Sequence, residues 1–195
     1  MAVTLVKGQK ISLEKEAGGA LATVRMGLGW DAAGSGVLGR MFGGAPGAID
    51  LDASCGVFDE RRALVDLVWF RQLRSRDGSI RHTGDNLTGE GEGDDESIVV
   101  DLTRLSPGTT QIVFTVNSFT GQDFSQIENA FCRLVDDTTN EELARYTLSG
   151  SGRHNAQIMA KVSRDGAGTW SMTAIGATAT GRTFQDLLPS TVGHL

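Results

Sequence analysis

The chain has 195 residues, with 24 Asp and Glu against 18 Lys and Arg and a formal net charge of −6, which disfavours an electrostatic grip on nucleic acid. Its 39% hydrophobic and 22% charged content is that of an ordinary globular domain, long enough to bury a core without cross-links, and residues 1–195 read as one domain. No apolar run approaches the length of a membrane span.

The opening residues, MAVTLVKGQKISL, carry no apolar leader core, so the expected compartment is the cytoplasm. Cys55 and Cys132 sit in apolar segments and read as buried thiols rather than a disulfide. Gly is abundant at 26 residues, Pro scarce at 3, and short apolar runs recur between turn signals. This predicts an all-β fold, a β-sandwich or barrel of roughly ten strands, with one or two short helices. Residues 3–6 and 10–13 read as an opening hairpin turning at Gly8. Residues 21–30 alternate, with Ala22, Val24, Met26 and Leu28 on one face and Thr23, Arg25, Gly27 and Gly29 on the other. After the Gly-rich loop of residues 32–47, residues 49–55 form a strand with Ile49, Leu51, Ala53 and Cys55 toward the core. Asp50, Asp52 and Ser54 then share the opposite face.

Residues 59–62 read as a turn, 64–70 (LVDLVWF) as a central strand and 79–82 as a short strand. Strands follow at 97–102 and 110–119, then a short helix at 124–130. Two hairpins come next, 130–136 with 143–149 and 157–163 with 169–177, the latter turning at Asp165-Gly166. A terminal helix at 183–188 is expected to stop at Pro189. Trp30, Trp69 and Trp170 read as packing residues. Arg71, Arg74, Arg76 and Arg81 read as surface partners of the acids that follow them.

Those acids are the densest feature of the chain. Residues 81–101, RHTGDNLTGEGEGDDESIVVD, hold Asp85, Glu90, Glu92, Asp94, Asp95, Glu96 and Asp101 with no Lys or Arg after Arg81. Two like charges about 4 Å apart cost roughly 4 kcal/mol at an effective dielectric near 20. Either such a loop stays open in water or a cation closes it. Ca²⁺ takes six to eight oxygens in flexible geometry, and alternating Gly and acid supplies both carboxylates and bendable carbonyls. The twelve-residue span from Asp85 to Glu96 is no EF-hand, because positions 3, 5 and 6 hold Leu87, Gly89 and Glu90 and the flanks read as strands. Mg²⁺ wants fewer carboxylates, and transition metals want His or Cys, whereas His82, His154 and His194 are dispersed. Asp31, Asp50 and Asp52 offer a second source of oxygens, although by pattern alone they read rather as ordinary solvent-facing polar alternation. The alternatives are a metal-dependent hydrolase using the same acids, which needs an open coordination position, and an interaction module whose loop holds no ion.

The stretches MGLGWD (26–31), DLDAS (50–54), HTGDNLTGEGEGDDESI (82–98), NAFCRLVDDTTNEELARYTL (129–148) and the segment 170–176 resemble the TerD family of tellurite-resistance and stress proteins. The resemblance runs from Met1 to about Pro189. It implies a β-sandwich of two mostly antiparallel sheets that binds two Ca²⁺ ions. The implied ligands are Asp31, Asp50, Asp52, Asp85, Asn86, Glu90, Glu92, Asp94, Asp95 and Glu96. It further implies a non-enzymatic role in tellurite and general stress resistance, with other proteins of a membrane-associated system as partners. Two features depart from the family pattern. Residues 34–47 differ from the usual segment between the two Asp motifs, and Glu92 stands where many members have Asp.

Overall fold

The computed structural model describes residues 3–4, 6–13, 21–32, 50–84, 93–147 and 152–195. Twelve strands lie among them, in two six-stranded sheets. The first sheet runs, edge to edge, β1 (Val3–Thr4), β10 (Glu141–Thr147), β9 (Ile127–Asp136), β3 (Thr23–Ala32), β7 (Glu96–Asp101) and β6 (Ile80–His82). The second runs β2 (Lys10–Ser12), β12 (Trp170–Ala179), β11 (Ala156–Arg164), β8 (Thr109–Ser118), β4 (Leu51–Asp59) and β5 (Leu64–Val68). All these pairings are antiparallel except β1 on β10. The fold is therefore the expected all-β sandwich.

Strand alternation builds the interior as the sequence predicts, except at Ala22, which precedes β3 and is exposed, while Ile49 lies outside the described residues. Val24, Met26, Leu28 and Trp30 of β3 face Leu51, Ala53, Cys55 and Val57 of β4 and Ile112, Phe114 and Val116 of β8, all in one buried cluster. A second, smaller cluster forms on the outer face of the second sheet. There Phe184 of helix α1 (Phe184–Val192) packs with Phe58, Val113, Ile158 and Ile175. Gly56 is what admits the ring, since a Cβ there would stand 2.3 Å from Phe184 Cζ. The helix starts from a capping box of Thr183 and Asp186. Among the described residues, no helix is long and apolar enough to cross a membrane.

Both cysteines are free and fully buried. Burial pushes the Cys132 thiol up to about 12, and the Cys55 thiol higher still, with Asp66 adding to the effect there. Neither supplies a thiolate at neutral pH. A chromogenic disulfide reagent is expected to find no reactive thiol in the native protein and two after denaturation. One equivalent reacting within minutes under native conditions would contradict this burial.

Four local expectations are corrected. The turn at Gly8 exists (φ +83°), but its arms join different sheets: β1 pairs β10 and β2 pairs β12. Gly8 is a crossover between the layers, not the tip of a hairpin. The apolar run 64–70 supplies an edge strand rather than a central one, pairing β4 alone and leaving Leu64 37% and Val65 42% exposed. The helix expected at 124–130 shrinks to a 3-10 turn at Phe124–Gln126, because β9 starts at Ile127 and pairs with β3. The terminal helix continues through Pro189 to Val192. Pro189 lacks the N–H that would reach the Gln185 carbonyl, but both residues are exposed, so water can take that acceptor.

Candidate metal centre

Three segments that carry candidate oxygens approach one another at one end of the sandwich. The end of β3, the start of β4 and the residues leading into β7 converge there. The side chains of Asp31, Asp85, Asn86, Glu90 and Glu92 lie outside the described residues, although the Asp31 backbone pairs with Glu128 on β9. Asp50, Asp52, Asp94, Asp95 and Glu96 are described. The structure sends the last three, consecutive in sequence, in three directions.

Asp94 lies on the outer face of the first sheet, above Gly27 of β3. A Cβ on Gly27 would stand 2.2 Å from Asp94 Cγ, and one on Gly29 would stand 2.7 Å from the Gly93 carbonyl oxygen. The two glycines form a slot in which the acidic segment rests. Both Asp94 oxygens accept from arginines: Oδ2 from Arg25 Nη1 at 2.7 Å and Oδ1 from Arg133 Nε at 2.6 Å. The Asp94 side chain is 5% exposed, so this is a nearly buried, doubly charge-assisted contact. The brace extends outward. Arg25 also donates to Asp137 Oδ1 (2.9 Å) and Asn140 Oδ1 (2.7 Å), and Arg133 donates to Glu142 Oε2 (3.2 Å). Arg145 binds Glu142 with two further bonds, at 2.9 and 2.8 Å, and stacks 4.1 Å from the centroid of the Phe131 ring. Arg145 foremost, with Arg133, holds the Glu142 carboxyl below the usual carboxylate range. The Asp94 hydrogen bond in turn raises Arg133 above the ordinary arginine value.

Asp95 closes the strand end. Its N–H donates to the Leu28 carbonyl at 2.8 Å, and its Oδ2 accepts from Trp30 N at 2.9 Å. Trp30 sits within the register shift between Gly29 and Asp31, where a bulge takes an N–H out of the ladder. Glu96 turns inward and is 1% exposed. Its Oε2 accepts from Ala53 N at 2.7 Å and lies 3.4 Å from His82 Nε2. Gly84 N donates to His82 Nδ1 at 3.1 Å, so a neutral His82 carries its proton on Nε2, toward the glutamate.

Asp52 lies on the outer face of the second sheet, but it is buried there (4% exposed) rather than solvated. The residues before α1 cover it. Asn117, its partner across the β4–β8 ladder, donates from Nδ2 to Asp52 Oδ2 at 3.1 Å and to the Arg182 carbonyl at 2.7 Å. Both amide protons are thereby assigned, and Asn117 Oδ1 is a buried acceptor without a donor among the described residues. The structure thus brings Asp95, Glu96 and the Asp50–Asp52 strand start to one end of the fold and keeps Asp94 on arginines. Among the described residues, no group of three His, Cys, Asp or Glu side chains is arranged to hold a metal ion. Arg25, Arg133 and Asn117 are the contributors that the sequence reading missed. Arg25 was visible on the same strand face as Gly27 and Gly29, where two missing side chains leave room for another segment.

Fold and site together define a β-sandwich protein with an acidic segment anchored across one sheet and carboxylates gathered at the strand ends. The chain belongs to the TerD domain family, whose model matches residues 1–189. It is 48% identical over 186 residues to the tellurium resistance protein TerZ of Serratia marcescens, covering 95% of this chain and 94% of that one. It is 38% identical over 201 residues to the stress response protein SCP2 of Bacillus subtilis strain 168, covering 96% and 98%. A crystal structure of a homologue of the telluride resistance protein TerD from Streptomyces coelicolor A3(2) has the same fold, with a TM-score of 0.71 at 20% identity over 87% of this chain and 96% of that one.

Proposed function

We propose that this protein binds Ca²⁺ at the carboxylate-bearing end of its sandwich. On this reading it works in resistance to tellurite and other stresses by presenting an ordered surface to partner proteins, without catalysis of its own, in the cytoplasm. The names of the TerZ and SCP2 relatives support the resistance and stress role, and the absence of an available thiolate on Cys55 and Cys132 speaks against a thiol-based redox role. The observation that carries the calcium reading is Asn117 Oδ1, a buried oxygen next to Asp52 that meets no donor among the described residues, since an oxygen acceptor in such a place is what a hard cation satisfies. Asp31, Asp50, Asp52, Asp85, Asn86, Glu90, Glu92, Asp95 and Glu96 are the proposed ligand set, with Asn117 Oδ1 as a further oxygen. In this proposal Asp94, with both oxygens on guanidinium groups, holds the root of the loop rather than the ion. Bound calcium supplies the positive charge that lets these carboxylates sit together. The chain's own contribution is to fix where each oxygen points.

Calorimetric titration with calcium tests this, with two ions per chain as the expected stoichiometry. An ion that binds the native state alone stabilises it by about 2.7 kcal/mol at a hundredfold excess over Kd, or about 5–10 °C in melting temperature for a chain of this size. Excess EGTA should remove that increment. Asp85→Ala should weaken binding far more than Asp165→Ala, because Asp165 serves the remote β11–β12 turn by capping Ala167 N and Thr169 N. A melting curve unmoved by EGTA, with no heat on titration, would leave the ion-free interaction module. The arginine brace on Asp94 favours that second reading, because it anchors the segment with protein charges alone.

A further inference from the structure

Residues 69–80, WFRQLRSRDGSI, leave β5 and fold back along the outer edge of β6. Ser75 N donates to the Ile80 carbonyl at 3.0 Å, and His82 N donates to the Leu73 carbonyl at 2.9 Å. These two bonds bracket Arg74 and Arg81, which face each other in an antiparallel bridge. Such a pair is of the non-hydrogen-bonded kind, in which opposed side chains come closest. Like charges directly opposite destabilise a sheet. Both residues are exposed, and among the described residues neither guanidinium meets a carboxylate.

The neighbours add to this conflict. The Arg76 side chain is 80% exposed and comes no nearer than 3.9 Å to Asp66. The Arg104 guanidinium lies over Gly78, 3.6 Å from where a Cβ would be. Of the described acids nearby, two are engaged in their own loops. Asp66 accepts from Leu67 N, Gln72 Nε2 and Arg76 N, and Asp77 accepts from Ser75, Ser79 and Ser106. A chain of net charge −6 thus concentrates on one edge positive charge that, among the described residues, no carboxylate meets closely.

That edge also offers backbone. The pairing that brings Arg74 opposite Arg81 turns the Arg74 N–H and C=O away from β6, toward the open side of the sheet. Leu73, beside them, is 43% exposed. We propose that residues 73–76, with Arg81, dock an extended acidic segment of a partner protein. Its backbone pairs with Arg74, and its carboxylates sit on Arg74, Arg76 and Arg81. A peptide fits better than a nucleic acid or a lipid surface for two reasons. A paired donor and acceptor on one residue match another peptide backbone, and a long polyanion would meet the repulsion of the whole acidic chain. The inference rests on the partner-binding half of the function proposed above and not on calcium.

The test uses the full chain and a labelled twelve-residue peptide of alternating Glu and Thr, followed by fluorescence anisotropy in low-salt and high-salt buffer. Wild-type protein should bind it at low salt and release it at high salt. The double variant Arg74→Glu/Arg81→Glu should bind at least tenfold more weakly, with its calcium calorimetry unchanged. A Lys/Thr peptide of the same length should not bind. Peptide binding that is absent in the wild type, or equal in the double variant, overturns the proposal. So does binding of phosphatidylserine vesicles or oligothymidylate in preference to the peptide. Wild-type protein that takes calcium but ignores the peptide overturns the docking surface alone; protein that takes the peptide but no calcium overturns the calcium reading alone. The like-charge conflict has its own readout. Arg74→Gln should raise the melting temperature by about 1–2 °C, and an unchanged or lower value removes the premise.

Discussion

Glu96→Ala, measured by urea denaturation in EGTA, should lower the unfolding free energy by about 2–4 kcal/mol, the cost of the buried donors that the lost carboxylate leaves unmet. Glu96 is 1% exposed and reaches from the start of β7 to the start of β4. The β5 strand pairs with β4 only from Cys55 onward, so the Ala53 N–H, two residues upstream, faces no strand on that side and donates to Glu96 Oε2 at 2.7 Å instead. Without the carboxylate that N–H is buried and unmet, at about 1–3 kcal/mol. His82 Nε2, now 3.4 Å from the same oxygen, loses its nearest carboxylate as well. A domain's whole stability is about 5–15 kcal/mol, so the alanine variant should be near the edge of folding. Glu96→Gln keeps an oxygen for Ala53 and loses only the charge, and should cost about 1–2 kcal/mol. Since calcium is absent from the measurement, the result speaks to the corner itself. A loss below about 1 kcal/mol for Glu96→Ala would mean that the two sheets are joined at this end by something other than the glutamate.

Glu96 also shows where sequence reading stops. Period-two alternation in β3, β4 and β8 gave the correct inward faces, and the hairpins at Asp137–Asn140 and Asp165 follow from local turn chemistry: Asp165 caps its own loop and Gly168 takes the positive φ of +90°. These are signals within a few residues. Which sheet a strand joins is not such a signal. The segments on either side of Gly8 look like partners and part company, and the apolar run at 64–70 looks central yet forms an edge, because hydrophobicity reports burial and not neighbours. The resemblance identified the family and pointed to the acidic residues, but it could not distribute them. Asp94, Asp95 and Glu96 are adjacent in sequence, and a strand sends adjacent side chains to opposite faces. One therefore meets arginines from β3 and β9, one caps a bulge and one enters the core. The expectation that so many carboxylates need a cation underrated the arginines, since Arg133 is 39 residues from Asp94 and Arg25 is 69.

The slot above β3 yields a prediction whose sign separates packing from propensity. Gly→Ala within a strand should, where space allows, stabilise by about 0.5–1 kcal/mol. Gly27→Ala should instead destabilise by about 2–4 kcal/mol, through overpacking and loss of the ion pairs beneath it. Its Cβ would stand 2.2 Å from Asp94 Cγ and 2.3 Å from both Asp94 oxygens. A flexible side-chain end could swing aside, but this one is gripped by Arg25 at 2.7 Å and Arg133 at 2.6 Å, so relieving the clash breaks both contacts. Asp94→Ala alone should cost about 2–3 kcal/mol, because it leaves two partly buried guanidinium groups without their shared partner. In the double variant the new methyl occupies the space the carboxylate vacated. The total loss should then fall short of the sum of the single losses by at least about 1 kcal/mol, a coupling typical of residues in contact. Additivity within about 0.5 kcal/mol would show that Asp94 does not rest on Gly27 in solution. The acidic segment would then have to be anchored by something other than the arginine brace, either the Asp95 bonds to Leu28 and Trp30 or a cation at the strand ends.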